Sequence, residues 1–150
     1  LAGCASSKFK SYDGPAVTEI RVFKNIRQMY LLNGEQVLSS HDISLGFAPV
    51  GHKEISGDGR TPEGSYLITK RNPNSKYHLS IGIDYPRPAD VALAQGMGLS
   101  PGGDIFIHGE DPTFTNPFRD WTAGCIAVSN EEIELIYAMV RDGTPVNIYR

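Results

Sequence analysis

Ile20 and Val22 alternate with Glu19 and Arg21 in the stretch VTEIRVFK, the period of a strand with one face on a core and the other in water. QMYLLNGEQVLSSHDIS places two apolar runs around Asn33-Gly34, a pair that supplies the positive φ angles of a hairpin turn. FAPVGHKEISGDGRTPEG lacks periodicity and reads as loop, after which SYLITKR and YHLSIGIDY are further strands joined by NPNSK. Pro88 to Met97 predicts a short helix opened by proline in its first turn. DIFIHG is a short apolar strand that delivers His108 at its end. Ser129 and Glu132 have capping-box spacing, and Ile133, Ile136, Tyr137 and Val140 line one face of the helix that follows, with Gly143 closing it. TPVNIYR returns as a last strand. The pattern predicts a mainly β domain, mostly antiparallel with one or two short helices, ordered from about Gly14 to the end.

Composition narrows the function classes. With 150 residues, 40% hydrophobic and 21% charged, the chain makes one globular unit rather than two. A net charge of -3 and scattered Lys and Arg give no basic surface for nucleic acid. No apolar run approaches the roughly 18 residues of a membrane-spanning helix. The opening residues LAGC match a bacterial lipobox, in which the cysteine becomes the lipid-bearing residue. On that reading Cys4 is a lipid anchor, residues 1–13 are lipobox remnant and flexible tether, and 14–150 form the folded domain; the alternative is a chance match of four small or apolar residues. Ala5, where an aspartate would otherwise stand, resembles an outer-membrane sorting signal, so the expected location is the periplasm with membrane contact only through that lipid. Cys125 is then left without a partner in an oxidising compartment, where a free thiol calls for an explanation.

A cysteine nucleophile requires a base within hydrogen-bond reach and donors for the oxyanion it generates. His108 stands seventeen positions upstream of Cys125 and Gly124 permits close backbone approach, while the helix after Ser129 offers its N-terminal dipole. By themselves such residues are more often a packed core cysteine and a structural histidine.

The sequence IHG at Ile107–Gly109, followed by TAGCI at Thr122–Ile126, resembles the motif of the L,D-transpeptidase catalytic domain family, in which His-Gly precedes Ser/Thr-x-Gly-Cys. GDGRTPEGSYLI, Gly57–Ile68, is similar to that family's Thr-Pro-x-Gly-aromatic segment, and the resemblance spans roughly Ala16 to the C-terminus. It implies an antiparallel β-sandwich and a cysteine enzyme acting on peptidoglycan stem peptides through a thioester. Cys125 would be the nucleophile, His108 the base, the Gly109 carbonyl the group that orients the imidazole, and the Gly124 and Cys125 amides the oxyanion hole. Where many members carry histidine before Gly-Cys and arginine or asparagine after it, this chain has Ala123, Ala127 and Val128. The variant GCIAVSN together with RNPNSKYHLSIGIDYP more closely resembles an envelope subgroup with hydrolytic members, among them enzymes that release a lipoprotein from peptidoglycan.

Arg60 and Arg71 are candidates for gripping substrate carboxylates, and Thr122, Tyr77, His78 and Trp121 for lining the substrate pocket. His41 and His52 fall in no usable pattern. Without C-x-x-C, H-E-x-x-H or H-x-x-x-H, no metal site is expected, and the Gly57-Asp58-Gly59 and Gly96-Met97-Gly98 turns lack the rest of a nucleotide fingerprint, so no cofactor is expected. The expected activity is L,D-transpeptidation. Its rivals are hydrolysis on the same scaffold, as carboxypeptidase, endopeptidase or peptidoglycan-lipoprotein amidase, and a non-catalytic wall-binding module with Cys125 buried.

Overall fold

A computed structural model of the chain describes residues 7–111 and 119–150; Cys4 and the segment 112–118 lie outside the described residues. Strand β1 (Glu19–Phe23) realises the alternation of its sequence, with Ile20 and Val22 fully buried. It pairs antiparallel with β2 (Gln28–Asn33), which turns into β3 (Gln36–Asp42). The turn falls on Gly34-Glu35, one residue later than Asn33-Gly34, because only the glycine takes a positive φ (58°) and Asn33 stays in the ladder.

Past the long loop, β4 (Gly64–Asn72) and β5 (Ser80–Ile83) form an antiparallel pair. Helix α1 (Pro88–Gly96) starts on its proline as expected, and β6 (Phe106–His108) and the two-residue β7 (Ile126–Ala127) lead into α2 (Asn130–Met139) and β8 (Pro145–Tyr149). In α2 the Ser129 hydroxyl accepts the Glu132 amide and the Glu132 carboxylate reaches back to the Ser129 amide, the reciprocal cap expected from the spacing. The helix ends sooner than expected, with extended backbone at Val140; Gly143 (φ 91°) serves the turn before β8 instead.

Among the described residues eight strands join one sheet in the order β3-β2-β1-β8-β4-β5-β6-β7. Five of its seven pairings are antiparallel, while β1–β8 and β6–β7 run parallel. The fold is therefore mainly β with two short helices, and the expected sandwich is made by a single sheet curled over its own core. Its ends meet where Ser44 bridges Ala127 and Gly46 bridges Thr122. Ile107 and Ile126 sit side by side in the β6–β7 ladder with no exposed surface, each burial worth roughly 2 kcal/mol. That packing fixes the register of the two strands on which the candidate site is built.

Residues 7–13 lie against this body. Lys8 donates to the carbonyls of Pro73 and His78, Phe9 packs edge-on against Tyr137, and Lys10 pairs with Glu134. No helix among the described residues is long and apolar enough to cross a membrane.

Candidate active site

His108 closes β6 and is 2% exposed. Its Nδ1 lies 2.6 Å from the Gly109 carbonyl oxygen. A carbonyl only accepts, so Nδ1 carries the proton and Nε2 keeps its lone pair. The Tyr77 ring stacks on the imidazole at 4.2 Å, and Trp121 lies across it at 5.7 Å between centroids. This aromatic packing buries the imidazole, and the burial pushes its pKa below the ordinary 6.5 against the opposing pull of the Gly109 bond. Gly109 itself admits no side chain: a Cβ there would stand 2.5 Å from Asn130 Oδ1 and 2.9 Å from the Tyr77 carbonyl.

Thr122 to Cys125 form a tight turn ahead of β7. The Thr122 hydroxyl donates to the Cys125 carbonyl at 2.7 Å and accepts the Gly124 amide at 3.1 Å, so it ties the turn to itself. Its flank is held from outside by Asp120, which accepts the Leu45 amide and takes a bidentate contact from Arg27. Burial drives the Asp120 carboxyl upward, yet these donors hold it below its usual range. Gly124 has φ 146°, and a Cβ on it would approach the Arg60 carbonyl to 2.8 Å, so conformation and space both demand glycine.

Cys125 is partly exposed and has no disulfide partner among the described residues. Its Sγ donates to the Asp104 carbonyl and accepts the Phe106 amide, both at 3.4 Å. Burial raises the thiol pKa; the Phe106 amide opposes that. At neutral pH the site thus holds a neutral thiol and a neutral imidazole. Neither sulfur contact runs to His108. The β6–β7 register pairs Ile107 with Ile126 and His108 with Ala127, which, continued one residue back, sets Cys125 beside Phe106. Side chains alternate across a strand, so the thiol and the imidazole project on the face opposite the two core isoleucines.

The sulfur borders a cleft of about 190 Å³ whose walls include Lys53, Ser56, Gly102, Asp104 and Ala123. Lys53 is 3% exposed, with its ammonium bonded to Asp58 and the Ile55 carbonyl. Asp58 also accepts the amides of Glu54, Ile55 and Arg60, and these donors outweigh burial to hold its carboxyl at about 2. One carboxylate thereby organises the loop that walls the cleft.

Of the residues singled out from sequence, the structure gathers Cys125, Gly124 and Thr122 in one turn, and His108, Gly109, Tyr77 and Trp121 around the imidazole. The Gly124 amide, expected in the oxyanion hole, is taken by Thr122; the Cys125 amide joins no hydrogen bond among the described residues. The Thr122 hydroxyl is likewise spent inside the turn. The Arg60 carbonyl stands where a side chain on Gly124 would reach, while the Arg60 guanidinium pairs with Glu54, outside the cleft that borders the sulfur. Arg71 bonds Asp142 and the Tyr137 carbonyl and lies over the Tyr137 ring, and His78 is held by Glu134. Ala127 and Val128 are buried, so of the three unusual positions around Cys125 only Ala123 reaches the cleft. Sequence reading passed over Lys53 and Asn130. The one sits in an aperiodic loop, and the other looked like an ordinary first residue of a helix.

Comparison with known proteins shows the family. The model of the YkuD family, the L,D-transpeptidase catalytic domain, matches residues 18–148, and the chain belongs to that family. YafK of Escherichia coli K12, named for the L,D-transpeptidases, is 30% identical over 127 residues, which are 81% of this chain and 46% of YafK. Among solved structures, the helical cell shape determining protein Pgp2 of Campylobacter jejuni superposes with a TM-score of 0.70 at 24% identity, covering 93% of this chain and 49% of Pgp2. L,D-transpeptidase 1 of Mycobacterium tuberculosis superposes at 0.58 with 13% identity, over 89% of this chain and 62% of its own. At those identities the structures speak for the fold. The chain spans about half the length of YafK and of Pgp2.

Proposed function

We propose that this domain is a cysteine acyl-transfer enzyme acting on peptidoglycan stem peptides in the cell envelope, with Cys125 as nucleophile and His108 as general base. The observation that carries the reading is the Nδ1–H bond from His108 to the Gly109 carbonyl, which fixes the tautomer whose Nε2 accepts a proton, on the strand that pairs with β7 just after the thiol-bearing residue. In the acylation step the Cys125 proton passes to His108 as Sγ forms a bond to the substrate carbonyl carbon. The Cys125 amide faces the charge on the carbonyl oxygen, and the C–N bond to the terminal residue breaks as the imidazolium returns its proton to the leaving amine. Deacylation reverses the roles. An incoming amine or water loses its proton to His108, attacks the thioester carbon, and frees the thiol.

The L,D-transpeptidase outcome, in which a second stem supplies the amine, follows the family. Ala123 at the cleft favours a second reading, because its small side chain leaves room for water beside the sulfur where other family members carry histidine. Incubation with purified muropeptides separates the two: new dimers mean transfer, whereas shortened stems, or fragments of a peptidoglycan-linked lipoprotein, mean hydrolysis. Cys125→Ala abolishes both. Unchanged muropeptides with the wild-type protein would refute the assignment. A lipid on Cys4, anchoring the domain to the outer membrane, is part of this proposal and is tested by mass spectrometry of the protein recovered from membranes.

A further inference from the structure

The peptide unit between Gly109 and Glu110 is engaged at both ends. Its carbonyl receives the His108 Nδ1 proton at 2.6 Å, and its N–H donates at 2.8 Å to Oδ1 of Asn130, the first residue of α2. An amide whose N–H is hydrogen-bonded is polarised, and its carbonyl becomes the stronger acceptor. The absence of a Cβ at Gly109 lets the carboxamide come so close, since that atom would stand 2.5 Å from Asn130 Oδ1. Asn130 follows directly on a partly buried cap: Ser129 and Glu132 cap the helix reciprocally, and Glu132 is held at 2.5 Å by His41, which is almost fully buried.

We infer that Asn130 is a positioning residue for His108, acting through the Gly109–Glu110 peptide, so that Nδ1–H, peptide and carboxamide form one relay in place of the carboxylate that orients histidine in other nucleophilic sites. Among the described residues no hydrogen bond joins Asn130 to the thiol or the imidazole; its carboxamide oxygen accepts the Glu110 amide. Its effect is to pin the plane of the one carbonyl that selects the tautomer and the ring orientation. The inference rests on the role proposed for His108, and its test separates the two.

The probe is the imidazole proton itself, observed by NMR on full-length protein carrying ¹⁵N-labelled histidine. In the wild type, His108 shows a downfield Nδ1–H resonance and the Nδ1–H tautomer. Asn130→Ala moves that resonance upfield or loses it to exchange, while Asn130→Asp, which still presents an acceptor to the Glu110 amide, keeps it. Turnover with muropeptides follows: kcat falls about ten- to a hundredfold in Asn130→Ala with KM little changed, and Asn130→Asp recovers most of it. If Asn130→Ala fails to fold, Asn130→Ser makes the same comparison with a side chain too short to reach Glu110. An unaltered Nδ1–H signal and kcat in the folded Ala or Ser variant overturns the inference. Because the signal is read without substrate, an inactive wild type with an Asn130-dependent resonance would sink the proposed function and leave the relay standing.

Discussion

His108 carries its pH dependence in its surroundings. Tyr77 and Trp121 close over the imidazole, and burial lowers its pKa against the single bond to Gly109. In the proposed role His108 must be unprotonated to act as base, so on that proposal acylation is lost as pH falls through this lowered value. The rate of thioester formation plotted against pH should have its acid limb centred below 6.5, the ordinary imidazole value; a limb centred at or above 7 would show an imidazole stabilised in its charged form. At Gly124 the limit is steric. Gly124→Ala forces a side chain onto φ 146° and against the Arg60 carbonyl, which should cost about 2 kcal/mol or more in denaturant unfolding and displace the turn that bears the sulfur. A variant as stable as the wild type would mean that the turn relaxes freely.

At the scale of elements, two short pieces decide the site: the two-residue strand β7 and the first turn of α2. Removing the α2 cap with Ser129→Ala should lower stability by about 1 kcal/mol, measured by urea unfolding, and no change would mean that Glu132 and His41 hold the turn alone. The cap was legible in the sequence because Ser129 and Glu132 follow a local rule, as were α1 through Pro88 and β1 through its alternation. β7 was not, since two residues display no period, and Ile126 is sealed beside Ile107 by a parallel pairing between residues distant in sequence. Parallel pairing of β8 with β1 escaped for the same reason: register between distant strands is set by tertiary packing. The motif around Cys125 and His108 was readable as the mark of the family whose model matches residues 18–148. What each backbone amide there is bonded to was not: the Gly124 amide donates to the Thr122 hydroxyl.

For the whole molecule, one carboxylate couples stability to the architecture of the cleft. Asp58 gathers three amides and Lys53, and its carboxyl is held at about 2 where 3.8 is usual. Because the folded value lies below the unfolded one, this stabilisation is complete above about pH 4 and disappears as pH falls toward 2. The wild type should lose about 2 kcal/mol more than Asp58→Asn between pH 5 and pH 2 by denaturant titration. Parallel curves for the two proteins would assign acid sensitivity elsewhere. The central claim is that the curled sheet holds a reactive thiol beside a strand-end imidazole, open to a cleft. Intact-mass analysis after exposure to a carbapenem tests it most directly. The account predicts one covalent adduct per chain, absent from Cys125→Ala and formed far more slowly in His108→Ala. An unlabelled wild-type protein, or a Cys125→Ala variant labelled to the same extent, would contradict it.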